Sequence, residues 1–421
     1  MVTPKVVHVI GGGTVCHVAD HLALSAVAYG TVARQIADLC REHSDTMQVK
    51  LHLTRMVDQN SSIETPQQVE ALVADLVRDP STKIIFFSPA IIDFSGQVGE
   101  RQPGKYAQHL STSSPAGAAL NYSLQLSPVP KIIDRIRNGG AGLPVRKDIF
   151  LVSFKTTCGL AEEDQYKAGL SMLKRSGSNL VLANDTITRR NMVITPEEAA
   201  YHVTIDRAAA LKGLVEMTYL RSHLTFTRST VVAGQPVPWN SPLVPETLRK
   251  VVDYCISQGA YRRVRGVTAG HFACKLDSQT FLTSRRKTDF NDMQNVGLVM
   301  VKTDGPDSVI AYGSKPSVGG QSQRIVFERH PDSDCIVHFH CPIRPSSKVP
   351  VVSQREYECG SHQCGENTAS GLHRFGNLHA VYLDQHGPNL VFNRNIDPDE
   401  VIKFIEQNFD LSLKTGGYQV D

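Results

Sequence analysis

The sequence predicts an α/β protein built in two parts, and three observations carry that prediction. From residue 6 to about 220, short β-branched runs alternate with amphipathic stretches of helical length, the pattern of a doubly wound sheet. Between 228 and 245 stand Gly234, Pro236, Pro238, Pro242, Pro245 and the only tryptophan, Trp239, without periodicity, which reads as an extended linker. Beyond it a second alternating set ends in three histidines near the ends of short apolar runs. The expected division is 1–228, a linker at 229–244, and 245–421.

A chain of 421 residues, 41% hydrophobic and 20% charged, has enough apolar side chains for two cores. A formal net charge of +3 gives no bulk field that calls for nucleic acid. No apolar run approaches the roughly 18 residues of a membrane helix. Nine scattered cysteines form no paired framework and point to reduced thiols in a cytoplasmic setting.

In the first part, Val6–Ile10 is a buried strand ending in Gly11-Gly12-Gly13-Thr14, with a helix expected from there to about Cys40. Strand, glycine turn and helix together can wrap backbone N–H groups around a phosphate, although tight turns also use glycine for its φ freedom alone. Val49–Leu53 is a strand, 65–78 a helix, and Lys83–Ala90 a strongly apolar strand leading to Asp93, a carboxylate where open α/β sheets bind ligands. Residues 95–119 read as a long loop over a ligand or as a disordered insertion. A helix at 128–137, a strand at 148–154 followed by Lys155, a helix at 162–176, a strand at 179–183 ended by Asn184, strands at 192–195 and 200–205, and a helix at 207–220 complete this part.

In the second part, Leu248, Val251, Val252 and Cys255 mark the apolar face of a helix over 245–258. Strands follow at 266–275, 279–284, 296–302 and 308–312, then a helix at 322–329. Arg285-Arg286-Lys287 beside Thr283 and Ser284 is either an anion site or a solvated basic turn. In Val337-His338-Phe339-His340, side chains at i and i+2 share a face, so His338 and His340 can meet one ion while Phe339 enters the core. His386, after the run Ala380–Leu383, supplies a third nitrogen, the set that a catalytic zinc uses with one position left open. Two core or surface histidines and a turn histidine are the alternative. A helix over 401–409 and a polar tail from Lys414 close the chain.

Two resemblances sharpen this. Gly11-Gly12-Gly13-Thr14, Ser88–Phe94, Leu126–Lys131, Ser153-Phe154-Lys155 and Ala183-Asn184-Asp185 occur in the order seen in phosphopantothenoylcysteine synthetase, which residues 5–222 resemble. That implies a Rossmann-like doubly wound domain, a dimer, and a CTP or ATP site at Gly12, Gly13, Thr14, Asp93, Phe154, Lys155 and Asn184. The family's Asn and Ser-Ser-Gly are replaced here by Leu22–Val27, and Lys105 is the only lysine between 84 and 130. The family's Phe-Lys-Leu-Glu-Thr-Asp becomes Phe154–Gly159.

Residues 245–410 resemble the class II aldolase/adducin family through Thr268-Ala269-Gly270-His271, Leu282-Thr283-Ser284, Lys315-Pro316-Ser317, His330-Pro331-Asp332, Val337–Pro342 and Gln385-His386-Gly387. That resemblance implies an α/β/α domain, a homotetramer, zinc on His338, His340 and His386, and a small phosphorylated substrate near Gly270, His271, Ser284 and Ser317. The family's basic glutamate is replaced by Gly319, and its Gly-Asn pair is Gly270-His271. Glu358 and His362, in the polar stretch 356–367, are the leading substitutes for the base; Cys359, His362 and Cys364 are alternatively a weak second metal set.

Three functions follow. The chain is a zinc-dependent lyase, epimerase or dehydratase with a nucleotide-binding first domain, a phosphopantothenate–cysteine ligase, or a non-catalytic assembly protein. Fusion of two oligomer-forming families implies a homo-oligomer, a tetramer or larger.

Overall fold

Four strands of the first part pair parallel, because the β-branched runs that form them are joined by helices and not by tight turns. The computed structural model describes residues 5–19, 22–43, 46–96, 126–264 and 266–415. Lys105 and most of the loop expected at 95–119 lie outside these residues. Val6–Gly11 is flanked by Gln48–Leu53 and Thr82–Phe87, and Thr82–Phe87 pairs on with Phe150–Thr157. Leu180–Asp185 comes next in the sheet order. Helix Pro66–Arg78 begins where the Thr65 side chain and Gln68 form a capping box, and Val69, Val73 and Val77 turn inward against Ile10, Ile85 and Leu151.

The helix expected directly after the glycine turn starts later, at Thr31–His43. Thr14–Ala19 and Leu22–Ala26 instead make an antiparallel hairpin, a result that fits the alternation in Thr14-Val15-Cys16-His17-Val18.

The second sheet runs in the order Arg228–Val232, Ser308–Tyr312, Leu298–Thr303, Thr280–Ser284, His271–Lys275, Cys335–His338, Gly387–Phe392, Leu378–Leu383 and Val351–Val352. Its alternating residues feed two cores. Phe272, Cys274, Val337, Leu390 and Phe392 face helices Glu246–Ser257 and Pro398–Asn408. Ala273, Val299, Ile336, Val381 and Val391 face Val326 and Phe327 of helix Val318–Arg329 and Ala369 of helix His362–Gly371. A sheet covered by helices on both faces is the expected α/β/α layering, each fully buried Leu, Val or Phe contributing about 1.5–3 kcal/mol.

Contacts divide the chain into two compact units: Met1–Thr156, Met172–Asn184 and Asp206–Thr218 form one, and Thr157–Ser171, Asp185–Ile205 and Tyr219–Asp421 the other. These limits do not follow the expected cut at 228. The Pro-rich segment 229–244 is packed into the second unit. Its Arg228–Val232 strand pairs parallel with Ser308–Tyr312. Trp239, 1% exposed, stands edge-on to Phe272 and donates its indole N–H to Asp253 at 2.9 Å.

Candidate metal centre

His338 is the last residue of a central strand, registered against His271 on one side and Asn389 on the other. His340 follows just past the strand end, with Phe339 between them fully buried against Phe409. His386 sits in the turn between Leu378–Leu383 and Gly387–Phe392, a turn that needs positive φ at Gln385 (56°) and Gly387 (146°). A side chain at Gly387 would place Cβ 2.1 Å from the Phe339 carbonyl oxygen, so glycine is required for the turn to reach the other two histidines.

The three rings converge. All three are buried, and one nitrogen from each lies within 4.8 Å of the others. His338 donates its Nδ1 proton to the Pro388 carbonyl at 2.7 Å, because a carbonyl can only accept. Its Nε2 is therefore the lone pair, 3.2 Å from Nε2 of His386. Nitrogens on a tetrahedral zinc, with bonds near 2.0–2.1 Å, lie about 3.3 Å apart. Nδ1 of His386 is buried with no hydrogen-bond partner among the described residues, so internal hydrogen bonding does not account for the cluster. Burial first, then the neighbouring histidines, hold His338 and His386 well below the usual imidazole value. Both are neutral at neutral pH, the form that binds a metal. Donor set, spacing and protonation all fit a divalent ion such as zinc.

Of the residues expected near a substrate, Gly270 and His271 lie against His338. Gly270, at φ 103°, lets the chain pass close to the His338 carbonyl. The ring of His271 lies 4.7 Å from that of His338, and burial followed by the charge of His340 pushes His271 down to about 3. Ser284 Oγ accepts from the Phe272 N–H, and the Ser284 carbonyl accepts from the Ser317 N–H at 2.9 Å. Gln323 was not anticipated. It accepts from the Thr283 hydroxyl at 2.8 Å and donates to Nδ1 of His271, which makes Nε2 the protonated nitrogen of that ring. His271, Gln323, Cys359, Cys364, His386 and Asn389 line one small cleft.

The two expected bases each engage other groups. His362 hydrogen-bonds Thr227 at 2.7 Å and faces Asp307 at 3.6 Å. Glu358 acts electrostatically on Arg221, Arg286 and Cys359. Among the described residues Cys359, His362 and Cys364 do not form a metal-holding group. Gly319 lies in the first turn of helix Val318–Arg329.

A carboxylate does stand by the triad, from a place the sequence reading passed over. Strands Asn191–Ile194 and Ala200–Thr204 form an antiparallel hairpin. Its turn holds Glu198 at φ 69° and 4% exposure. Glu198 Oε2 lies 3.8 Å from Nδ1 of His340 and 2.8 Å from Nζ of Lys414. Lys414 donates to the Tyr166 hydroxyl at 2.9 Å, and that hydroxyl donates to the Glu198 carbonyl at 2.5 Å. Thr415 donates its N–H to the His340 carbonyl and its hydroxyl to the His386 carbonyl. The start of the polar tail is thus buried, Lys414 at 3% and Thr415 at 4% exposure. Neighbouring Glu197 forms a fully buried pair with Arg221 at 2.6 Å.

In the first unit the nucleotide candidates share one end of the sheet. Gly12 and Gly13 follow Val6–Gly11, Asp93 follows Thr82–Phe87, Phe154 and Lys155 lie late in Phe150–Thr157, and Asn184 late in Leu180–Asp185. Carboxyl ends of adjacent parallel strands are where such sheets bind ligands. Several of these residues also have internal work. A Cβ on Gly12 would meet Thr54 Oγ1 at 2.2 Å, and one on Gly13 would meet the Ala26 carbonyl at 2.2 Å. The Thr14 hydroxyl donates to Ala90 O and accepts from Ile92 N, and Asp93 pairs with Lys131.

Comparison with known proteins gives a separate relative for each part. Residues 249–344 match the Class II Aldolase and Adducin N-terminal domain. The chain is 26% identical over 138 residues to the coenzyme A biosynthesis bifunctional protein CoaBC of Thermococcus kodakarensis, a match spanning 33% of this chain and 30% of that relative. Among solved structures, a DNA/pantothenate metabolism flavoprotein from Streptococcus pneumoniae aligns with 52% of this chain and 100% of its own, at 16% identity and a TM-score of 0.39. YgbL from Klebsiella pneumoniae, described as a putative aldolase/epimerase/decarboxylase, aligns with 38% of this chain and 84% of its own, at 22% identity and a TM-score of 0.27. The chain therefore joins an amino-terminal region similar to phosphopantothenoylcysteine synthetase to a later region that matches the Class II Aldolase and Adducin N-terminal domain.

Proposed function

We propose that the second unit is a zinc-dependent enzyme of the aldolase, epimerase or dehydratase type, acting on a small phosphorylated hydroxy-carbonyl compound. The observation that carries this reading is the buried set His338, His340 and His386, with one nitrogen from each within 4.8 Å of the others and His338 and His386 held neutral. When bound, zinc supplies Lewis acidity to adjacent carbonyl and hydroxyl oxygens. Pro388 fixes the His338 tautomer, Gln323 fixes that of His271, and Gly270, Ser284 and Ser317 offer polar groups for the phosphate end.

Metal analysis of the purified full chain tests this. One zinc per chain is expected, lost in His338→Ala, together with turnover of a hydroxy-ketone phosphate that chelation abolishes. Metal-free protein of unchanged activity would sink the reading. The chain is also proposed to form a homo-oligomer, tetrameric or larger; a light-scattering mass of one chain would refute that.

A second reading concerns the first unit. Gly12, Gly13, Asp93, Lys155 and Asn184 at the ends of neighbouring strands support binding of CTP or ATP. Calorimetric titration with each nucleotide is expected to show binding that Lys155→Ala weakens. An assay joining phosphopantothenate to cysteine decides whether the ligase activity of the resembling family is present.

A further inference from the structure

Resting on the metal reading above, we propose that Glu198 is the carboxylate of this centre, a positioning residue that holds His340 for the cation and offsets part of its charge. Three neutral imidazoles leave a bound dication uncompensated in a buried site, which is costly without an anion. Gly319 stands where the aldolase resemblance implies a glutamate. Oε2 of Glu198 lies 3.8 Å from Nδ1 of His340, and both side chains are nearly sealed from solvent, 3% and 9% exposed.

Its placement is over-determined. A non-glycine residue at φ 69° is strained and persists only where its surroundings hold it there. The turn is closed by the Glu198 N–H on the Thr195 carbonyl at 3.0 Å. Tyr166 grips the Glu198 carbonyl and Lys414 its carboxylate. Lys414 also competes: its ammonium draws the carboxylate's charge, and a dication on the triad repels it. Glu198 and Lys414 therefore act on the metal with opposite signs.

That opposition is the test. Zinc affinity of the full chain is measured by chelator competition, and the visible spectrum is recorded after cobalt(II) loading. Glu198→Gln is expected to weaken zinc binding about 10–100-fold, the usual effect of losing such a partner, and to shift the cobalt bands. Glu198→Asp is expected to recover part of the affinity. Lys414→Met is expected to tighten zinc several-fold. A merely structural role would make both Glu198→Gln and Lys414→Met bind more weakly, and that result overturns the inference. Wild-type affinity and an unchanged cobalt spectrum in Glu198→Gln overturn it as well. If Glu198→Gln does not fold, the sign of the Lys414→Met effect decides alone. Wild-type protein that binds no zinc overturns the metal reading itself, an outcome distinct from zinc binding that ignores Glu198.

Discussion

Nδ1 of His338 donates to the Pro388 carbonyl at 2.7 Å, and this one bond decides which nitrogen of the ring is left for a cation. The same carbonyl lies two residues after His386 in sequence, so the turn that carries one ligand also orients another. Ligand and orienting group are thereby coupled. Moving the turn disturbs two imidazoles at once.

Gly387→Ala tests that coupling. The added methyl would press on the Phe339 carbonyl at 2.1 Å, at a backbone φ of 146°. The expected outcome is loss of stoichiometric zinc and destabilisation of about 2 kcal/mol or more. Metal analysis and urea unfolding measure the two effects, and normal zinc content would count against the coupling.

Gln323→Leu removes the donor to Nδ1 of His271 and the acceptor for Thr283, both buried. Thr283 keeps the Phe272 carbonyl as an acceptor at 3.2 Å, so the main loss is at His271. A destabilisation of about 1–3 kcal/mol is expected for the orphaned nitrogen. A melting temperature equal to wild type would show that His271 finds another donor.

Arg221→Met leaves Glu197 charged and buried without its cation. Arg221 also donates to the carbonyls of Gln354 and Arg355. Loss of about 3–5 kcal/mol is expected, the range for breaking one side of a buried pair. The double variant Arg221→Met with Glu197→Gln should recover part of it, as read from chemical denaturation.

Acid should weaken the first unit through His8. Its Nδ1 lies 3.0 Å from Nε2 of His52, and burial, then the charges of His52 and Lys50, push it down from 6.5 to about 4. The unfolded chain therefore takes up the proton first. The stability from the neutral ring is complete above pH 6.5, falls as pH drops toward 4, and amounts to about 3 kcal/mol at most. Denaturation midpoints across that window should fall less steeply in His8→Gln; parallel curves would exclude His8 as the source.

Much of both folds was legible because periodicity reports burial. The alternation in Val337-His338-Phe339-His340 placed Phe339 in the core and both histidines toward one site, and the helix 162–176 stands at its expected limits. The hairpin at 14–26 was hidden by the glycine turn, whose commonest sequel in such a sheet is a helix. Helix His362–Gly371 was missed because Gly365, Asn367, Thr368 and Ser370 carry almost no apolar stripe. Strand Arg228–Val232 was missed because it is mostly exposed and runs into prolines. Glu198 was invisible for a different reason: nothing local marks a carboxylate whose partners lie at residues 340 and 414.

The interleaving of the two units bears on how the chain can be divided. The second unit takes residues 157–171 and 185–205 from the half that resembles a different family. Cutting at the Pro-rich segment would strip it of the buried Glu197–Arg221 pair and of the carboxylate beside His340. The point where the resemblance changes is therefore not a seam of the folded molecule. A carboxy-terminal fragment made by that resemblance alone should leave the carbonyls of Gln354 and Arg355 without their Arg221 donor and hold metal poorly. Neither half is an exchangeable cassette.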